Sequence, residues 1–282
     1  FSTNLDEIIS FIDWSPFFWG WELKGFYPKI FESDKWGEQA RSLFADAQKL
    51  LDRIKKDKIF RPQAVIGIWP AHSIGDDVEL FRDREKNQLA CTLHFLRQQK
   101  KKTDQSPYRC LADYVAPMES GREDFIGCFA VTMGNGVEEF AKEFEQDHDD
   151  YSAILVKALG DRLAEAYAEY MHKHVREVWG YGHQENMTID QLIREDYRGI
   201  RPAPGYPACP DHLEKLTIWE LMDVEAKIGI KLTESFAMTP ASSVSGYYFH
   251  HPDSAYFRVG SIAKDQVADY CSRKGISQIE GE

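Results

Sequence analysis

The stretch IRPAPGYPACPDH, residues 200–212, holds the side chains of this sequence that are best suited to bind a small ligand. Its prolines fix φ and remove backbone donors, so the stretch is too stiff for a helix or a strand. Gly205 permits close approach of a ligand or an unusual backbone dihedral. Arg201 presents a planar guanidinium that matches a carboxylate, and Tyr206 and His212 add polar aromatic groups. These residue types predict a rigid wall beside a group that binds a carboxylate.

A purely structural role fits the same stretch, since Asp211 can cap the helix that follows. A second candidate site lies in VTMGNGVEEF, where glycines precede a helix and could cradle a phosphate at its N-terminus. Neither a Walker lysine nor a full G-x-G-x-x-G accompanies these glycines. A plain turn is therefore favoured there, and no nucleotide site is predicted.

The histidines and cysteines do not predict a metal site. His172 and His174 lie two residues apart on a predicted helix, so their side chains diverge by about 200° and cannot share an ion. The adjacent pair His250 and His251 diverges similarly on a strand. The five cysteines are widely spread without a C-x-x-C pair, so reduced thiols are predicted.

The charge of the chain excludes several classes of partner. Lys+Arg 34 against Asp+Glu 46 gives a net charge of −12 over 282 residues, and such a field repels nucleic acid and anionic lipid. No apolar run reaches the length of about 18 residues that marks a membrane span. The sequence therefore predicts a cytoplasmic protein that binds neither nucleic acid nor membrane. The lysines at 100–102 form a concentrated basic patch that could dock an acidic protein.

Periodicity predicts the elements that position these side chains. Apolar residues at helical spacing indicate helices at 37–60, 151–179, 213–229 and 264–273. Short apolar runs between turn signals indicate strands at 63–71, 77–81, 89–96 and 124–134, with two more joined at His-Pro-Asp within 242–260. Strands cluster towards both ends of the chain with helices between them, so we predict an α+β fold and one domain over residues 1–282.

Five short motifs of this sequence resemble the activation domain of cobalamin-dependent methionine synthase, the module of that enzyme that binds S-adenosyl-L-methionine. They are FIDWSPFF at 11–18, LADYVAP at 111–117, RPAPGYPACPDH at 201–212, LTESFAM at 232–238 and SGYYFHHPDS at 245–254. The motifs occur in the same order as in the family, and the resemblance covers nearly the whole chain. It implies a single curved α+β domain around a twisted antiparallel β-sheet with flanking helices.

The resemblance also implies an activity. The chain is expected to be the C-terminal module of a larger methyltransferase, which fits a start at Phe1 without an initiator methionine. In the family, S-adenosylmethionine supplies the methyl group that returns inactive cob(II)alamin to methylcobalamin, and flavodoxin or an equivalent flavoprotein delivers an electron. Cobalamin is bound by a separate upstream module, against which the activation domain docks. The chain alone is therefore not expected to make methionine.

Ligand-binding side chains follow from the resemblance position by position. Asp13 of FIDW matches the family aspartate that holds the amino group of S-adenosylmethionine. Arg201 matches the arginine that takes its carboxylate. Tyr256 and Phe257 of SAYF match a pair of aromatic ligand-binding positions, the second of which is tyrosine in some relatives.

The proline-rich stretch carries the remaining positions. The backbone of residues 202–206, including Ala203 and Gly205, resembles the segment that borders the ligand. Tyr206 and His212 resemble the residues that face the corrin when the modules dock. No catalytic residue and no metal ligand is implied in this chain.

Physical chemistry supports three of these positions without the resemblance. An amino acid zwitterion needs one anion and one fork-shaped cation, and a sulfonium is favoured beside an aromatic face. Asp13, Arg201 and Tyr256 supply those groups. Because cob(I)alamin is itself the nucleophile, the chain needs no general base and has to place the methyl carbon and exclude water.

Two alternatives stay open. One is a regulatory module that senses S-adenosylmethionine without a redox role, which docking to a cobalamin module would distinguish. The other is a metal-dependent hydrolase built on Asp211, His212 and the pair His250 and His251, which metal analysis would distinguish.

Overall fold

A computed structural model describes residues 1–103 and 105–278. Residue contacts divide the chain into two compact units. We call the first, formed by Phe1–Val65, Ala130–Tyr197 and Glu225–Val244, the helical unit. We call the second, formed by Ile66–Phe129, Arg198–Val224 and Ser245–Glu282, the sheet unit. The assignment of residues 1–282 to one domain stays a prediction.

The helices and strands follow one another in runs along the chain. The helices are α1 Leu5–Ile9, α2 Trp14–Gly20, α3 Gly37–Lys56, α4 Gly136–Gln146, α5 Asp150–Trp179, α6 Ile189–Ile193, α7 Glu214–Met222, α8 Val224–Ile228 and α9 Lys264–Lys274. The strands are β1 Gln63–Ile74, β2 Asp77–Phe81, β3 Leu89–His94, β4 Asp124–Thr132, β5 Lys231–Leu232, β6 Met238–Thr239 and β7 Ser243–Tyr248. The predicted α+β class is confirmed.

The helical unit is built around α5, which contacts α1, α2, α3, α4 and α6. Its N-cap residue is Asp149, whose carboxylate accepts a hydrogen bond from the Ser152 backbone N–H at 3.0 Å. This cap satisfies one of the backbone donors that a helix leaves free at its start. The predicted helix at 151–179 is confirmed.

The sheet unit contains most of a five-stranded sheet in the order β3-β2-β1-β4-β7. The hairpin of β1 and β2 pairs Ser73 with Val78 across an antiparallel ladder, and β2 pairs antiparallel with β3. Aromatic rings fill one part of its core, where Phe129 of β4 stacks on Tyr248 of β7 at 4.6 Å between ring centroids. β7 is an edge strand of this sheet, which leaves one of its sides open for pairing.

Two sequence predictions fail in physically informative ways. The helix predicted at 213–229 is two helices, because Asp223 adopts the left-handed conformation (φ 55°) and ends α7. Aspartate is one of the few residues that tolerate this conformation.

The second strand predicted within 242–260 does not form among the described residues. Its backbone groups bind elsewhere, since Ala255 pairs with the Tyr114 hydroxyl and the Val259 N–H donates to Pro207 O at 2.8 Å.

Within residues 1–103 and 105–278, no helix combines the length and the apolar character that a membrane crossing requires.

Candidate functional site

The proline-rich stretch begins as a short partner of the edge strand. The Ile200 N–H donates to Phe249 O at 3.0 Å, and the Phe249 N–H donates back to Ile200 O at 3.0 Å. Two residues further, the Tyr247 N–H donates to Pro202 O at 2.9 Å. Because antiparallel pairing uses alternate residues, the backbone of Arg201 faces away from this edge.

The Tyr256 hydroxyl accepts a hydrogen bond from the backbone N–H that faces away from the sheet edge. The Arg201 N–H donates to the Tyr256 hydroxyl oxygen at 3.1 Å. Arg201 is half-buried, whereas Tyr256 keeps 47% of its surface exposed. The structure therefore brings together two of the predicted ligand-binding residues, through the backbone of Arg201 and the side chain of Tyr256.

Close backbone packing shapes the next part of the stretch. A Cβ on Gly246 of β7 would lie 2.5 Å from Pro202 O and 3.3 Å from the Ala203 Cα, so only glycine allows this approach. Gly205 has φ +91°, and its N–H donates to Cys209 O at 2.7 Å. The segment turns back on itself here, as the stiffness of its prolines and the freedom of its glycine predict.

His212 packs against the backbone at Gly205. A Cβ on Gly205 would lie 2.2 Å from His212 Cε1, so the imidazole occupies the space where a side chain would stand. The Nδ1 atom of His212 has a polar neighbour, since Lys215 Nζ lies 3.1 Å from it. Tyr206, at the tip of the turn, is 58% exposed, and His212 is exposed as well.

Helix α9 fixes the end of the stretch. The Tyr270 hydroxyl donates to the Asp211 carboxylate, and Lys274 Nζ donates to the carboxylate of Glu214, the first residue of α7. Glu214 is fully buried, and burial raises the pKa of its carboxyl while Lys274 opposes that rise. The other Asp211 oxygen accepts from the Leu213 N–H at 2.8 Å. Asp211 does not cap α7 as predicted, because the N-cap residue is Leu213, whose side chain makes no capping hydrogen bond.

Phe257 points towards the interior of the sheet unit. Its ring packs against a buried cluster of Leu96, Val259 and Tyr270. Tyr256 and Phe257 thus divide their roles, with the first ring facing the surface and the second the core.

Asp13 lies in the helical unit, where it is the N-cap residue of α2. Its Oδ1 accepts a hydrogen bond from the Ser15 N–H at 2.9 Å, and the side chain is exposed. It borders a groove of about 740 Å³ with aromatic and aliphatic walls. The aromatic and proline residues of that groove are Trp14, Trp19, Phe26, Tyr27 and Pro28.

Within the described part of the chain, no three His, Cys, Asp or Glu side chains lie close enough to hold a metal ion. The residues of the hydrolase alternative have other partners. Asp211 binds Tyr270, His212 contacts Lys215, and His250 Nε2 lies 2.7 Å from the Asp124 carboxylate.

Sequence reasoning missed two residues that shape this site. Lys215 comes three residues after His212, where α7 begins. Helical spacing of this kind places two side chains next to each other and would have suggested the contact. Gly246 offers no such signal, because its close approach to residue 202 depends on the pairing of distant segments.

The fold and the loop define a class: an α+β module with an arginine- and proline-bearing loop on the edge of its sheet. The family model described as "Vitamin B12 dependent methionine synthase, activation domain" matches residues 4–275. The chain therefore belongs to this family, and it is a module of a methyltransferase. A solved structure, the MetH reactivation domain bound to AdoHcy, is 52% identical in sequence, covers 100% of this chain and 87% of its own, and superposes with a TM-score of 0.97. The family predicted from the five sequence motifs is confirmed.

Proposed function

We propose that this chain binds S-adenosylmethionine and supports the reductive methylation of inactive cobalamin. The observation that carries the proposal is the placement of Arg201 on the proline-rich segment that pairs with the end of β7, with its backbone N–H bound to the Tyr256 hydroxyl. Family membership and the 52% identity to a domain bound to AdoHcy support it. AdoHcy is the product that remains when S-adenosylmethionine loses its methyl group.

Three side chains fit the charges of the ligand. The Arg201 guanidinium binds the carboxylate through two parallel hydrogen bonds, and the Asp13 carboxylate binds the ammonium group. Since the Asp13 Oδ1 already caps α2, Oδ2 of this exposed residue is the oxygen that faces the ligand. The exposed Tyr256 ring stands beside the sulfonium, whose positive charge is attracted to an aromatic face.

Other positions contribute backbone. Ala203 and Gly205 border the ligand with their main chain, which prolines and the hydrogen bond from the Gly205 N–H to Cys209 O hold in place. Phe257 contributes its main chain as well, since its ring packs into the core.

Tyr206 and His212 form the face that meets the corrin. Both are exposed, and both stand on a turn that the prolines and α9 hold in place. Preorganised exposed rings lose little conformational entropy when a partner docks. The partner is the cobalamin-binding module of the same parent enzyme, with flavodoxin or an equivalent flavoprotein as electron donor, in the cytoplasm.

The chain's own part in the reaction is placement. S-adenosylmethionine supplies the methyl group when it is bound, and reduced cobalamin accepts it. Arg201 and Asp13 hold the amino acid end of the ligand, so that the methyl group points in one direction. Holding a reactant in line in this way removes part of the entropic barrier, and no general base is required.

Two measurements test the proposal. Isothermal titration of the chain with S-adenosylmethionine and with S-adenosylhomocysteine should give one binding site for each. In the parent enzyme, cob(II)alamin should return to methylcobalamin only when S-adenosylmethionine and reduced flavodoxin are both present. Absence of binding would contradict the proposal, whereas binding without any effect on reactivation would favour the sensing module that has no redox role.

A further inference from the structure

We propose that Lys215 is a positioning residue that holds the His212 imidazole in one orientation, with Nδ1 as an acceptor and the ring N–H on Nε2. In this form His212 donates a hydrogen bond to an oxygen acceptor and offers no lone pair for a metal.

The first step is the contact itself. Lys215 Nζ lies 3.1 Å from His212 Nδ1, and a lysine ammonium carries donors only. His212 Nδ1 must therefore be the acceptor, and the ring proton lies on Nε2.

The second step is the burial of the lysine. Lys215 has only 7% of its surface exposed, although it lies in the first turn of α7. Burial lowers the pKa of the Lys215 ammonium, because the charged form loses its water. A buried donor needs a partner, and the hydrogen bond to Nδ1 offsets part of that penalty.

The third step is the orientation of the ring. The Cε1 edge of His212 stands over Gly205, where an added Cβ would come within 2.2 Å of Cε1, 2.6 Å of Nδ1 and 2.8 Å of Nε2. Rotation of the ring is therefore restricted on one side by backbone and on the other by the bond to Lys215. Two constraints on one exposed imidazole indicate a fixed donor direction.

The role of this donor rests on the proposed docking of a corrin. The periphery of a cobalamin corrin carries amide side chains, and their carbonyl oxygens are acceptors for an N–H. An Nε2–H imidazole suits those oxygens, and it lacks the Nε2 lone pair that cobalt ligation would need.

The test uses the chain labelled with ¹⁵N-histidine and reads the tautomer of His212 from two-bond ¹H–¹⁵N correlations at neutral pH. His212→Gln assigns the signal. We expect a pyrrole-type Nε2 and a pyridine-type Nδ1 in the wild type, a shift towards the mixed tautomers of a free imidazole in Lys215→Met, and recovery in Lys215→Arg. Lys227→Met, at an exposed lysine of α8, is the matched control and should leave the signal unchanged.

A wild-type His212 with its proton on Nδ1 would overturn the proposal, and so would identical signals in the wild type and Lys215→Met. The wild-type spectrum decides even where the Lys215→Met chain does not fold. Because this measurement needs no ligand, its failure is distinguishable from failure of S-adenosylmethionine binding in the titration.

Discussion

At the scale of single residues, Gly205 is the position where the turn tolerates least change. Its φ of +91° is strained for any other residue, and an added Cβ would meet the His212 ring. Gly260 of the same unit has φ +83°, and nothing lies within 4 Å of an added Cβ there. A substitution at Gly260 therefore measures the backbone strain alone, without the steric clash.

We expect Gly260→Ala to cost about 1 to 3 kcal/mol of stability, which is the usual range for a strained backbone conformation. Gly205→Ala should cost more and should also displace the His212 ring. Urea unfolding of both variants measures the difference. Equal losses in the two variants would show that the contact between Gly205 and His212 is not a tight one.

Individual residues also show how far the sequence alone reaches. The stiffness of the proline-rich stretch follows from residue type, whereas the predicted cap at Asp211 is wrong, since Asp211 lies two residues before the N-cap residue Leu213 and binds its N–H. The hydrogen bond from Arg201 to Tyr256 could not be predicted, because it joins residues 55 positions apart. Contacts of that kind depend on the sheet, which no local pattern specifies.

At the scale of elements, helix α9 holds the first turn of α7 through a buried ion pair. The Glu214 side chain is fully buried, and Lys274 keeps 12% of its side chain exposed. Removing one partner of a buried pair leaves a charge without compensation, which typically costs about 3 to 5 kcal/mol.

Lys274→Met should therefore destabilise the chain, and the loss should depend on pH. The pKa of Glu214 is already raised by burial, and loss of Lys274 raises it further. A carboxyl with a raised folded pKa contributes stability below its unfolded pKa and loses it as pH rises. The deficit measured by urea unfolding should thus be larger at about pH 8 than at about pH 5. A deficit independent of pH would contradict this account of Glu214.

Elements with strong local signals were predicted well. The helices at α3, α5 and α9 and the strands β1 to β4 follow from periodicity, caps and turn residues. The break at Asp223 and the absence of a second strand after His-Pro-Asp did not follow. In both cases the backbone geometry depends on tertiary partners, and local propensity is a weak guide there.

At the scale of the whole molecule, the distribution of charge determines where an acidic partner protein can bind. The net charge of −12 is unfavourable for such a partner, but Lys100 and Lys101 are exposed on one loop. Lys102 belongs to that loop's own structure, since its Nζ donates to Gln98 Oε1 at 2.9 Å and lies over the Tyr108 ring.

We expect Lys100→Glu combined with Lys101→Glu to slow flavodoxin-dependent reactivation of the parent enzyme at low salt, and the effect should shrink as salt rises. S-adenosylmethionine affinity should not change. The control is Lys56→Glu combined with Lys58→Glu, an equal change of charge on exposed residues of the helical unit. Equal slowing by both pairs would assign the effect to net charge and remove the patch from consideration.

The central claim is that Arg201 and Asp13 bind the two charged ends of S-adenosylmethionine. Arg201→Lys keeps the charge but loses the two-pronged geometry, and Asp13→Asn keeps the cap of α2 but loses the charge. Loss of one side of a desolvated charge pair typically costs about 2 to 5 kcal/mol, which corresponds to roughly 30-fold or more in affinity. Solvent exposure of the site would reduce that factor. Arg198→Lys and Asp149→Asn are the matched controls.

The measurement that tests this claim most directly is calorimetric titration of S-adenosylmethionine into these four variants and the wild type, with thermal unfolding of each alongside. The account predicts a large affinity loss in Arg201→Lys and Asp13→Asn at nearly unchanged melting temperature, and wild-type affinity in both controls. A lowered melting temperature with unchanged affinity of the folded chain would contradict it, because Arg201 and Asp13 would then only brace the loop and the helix that carry them.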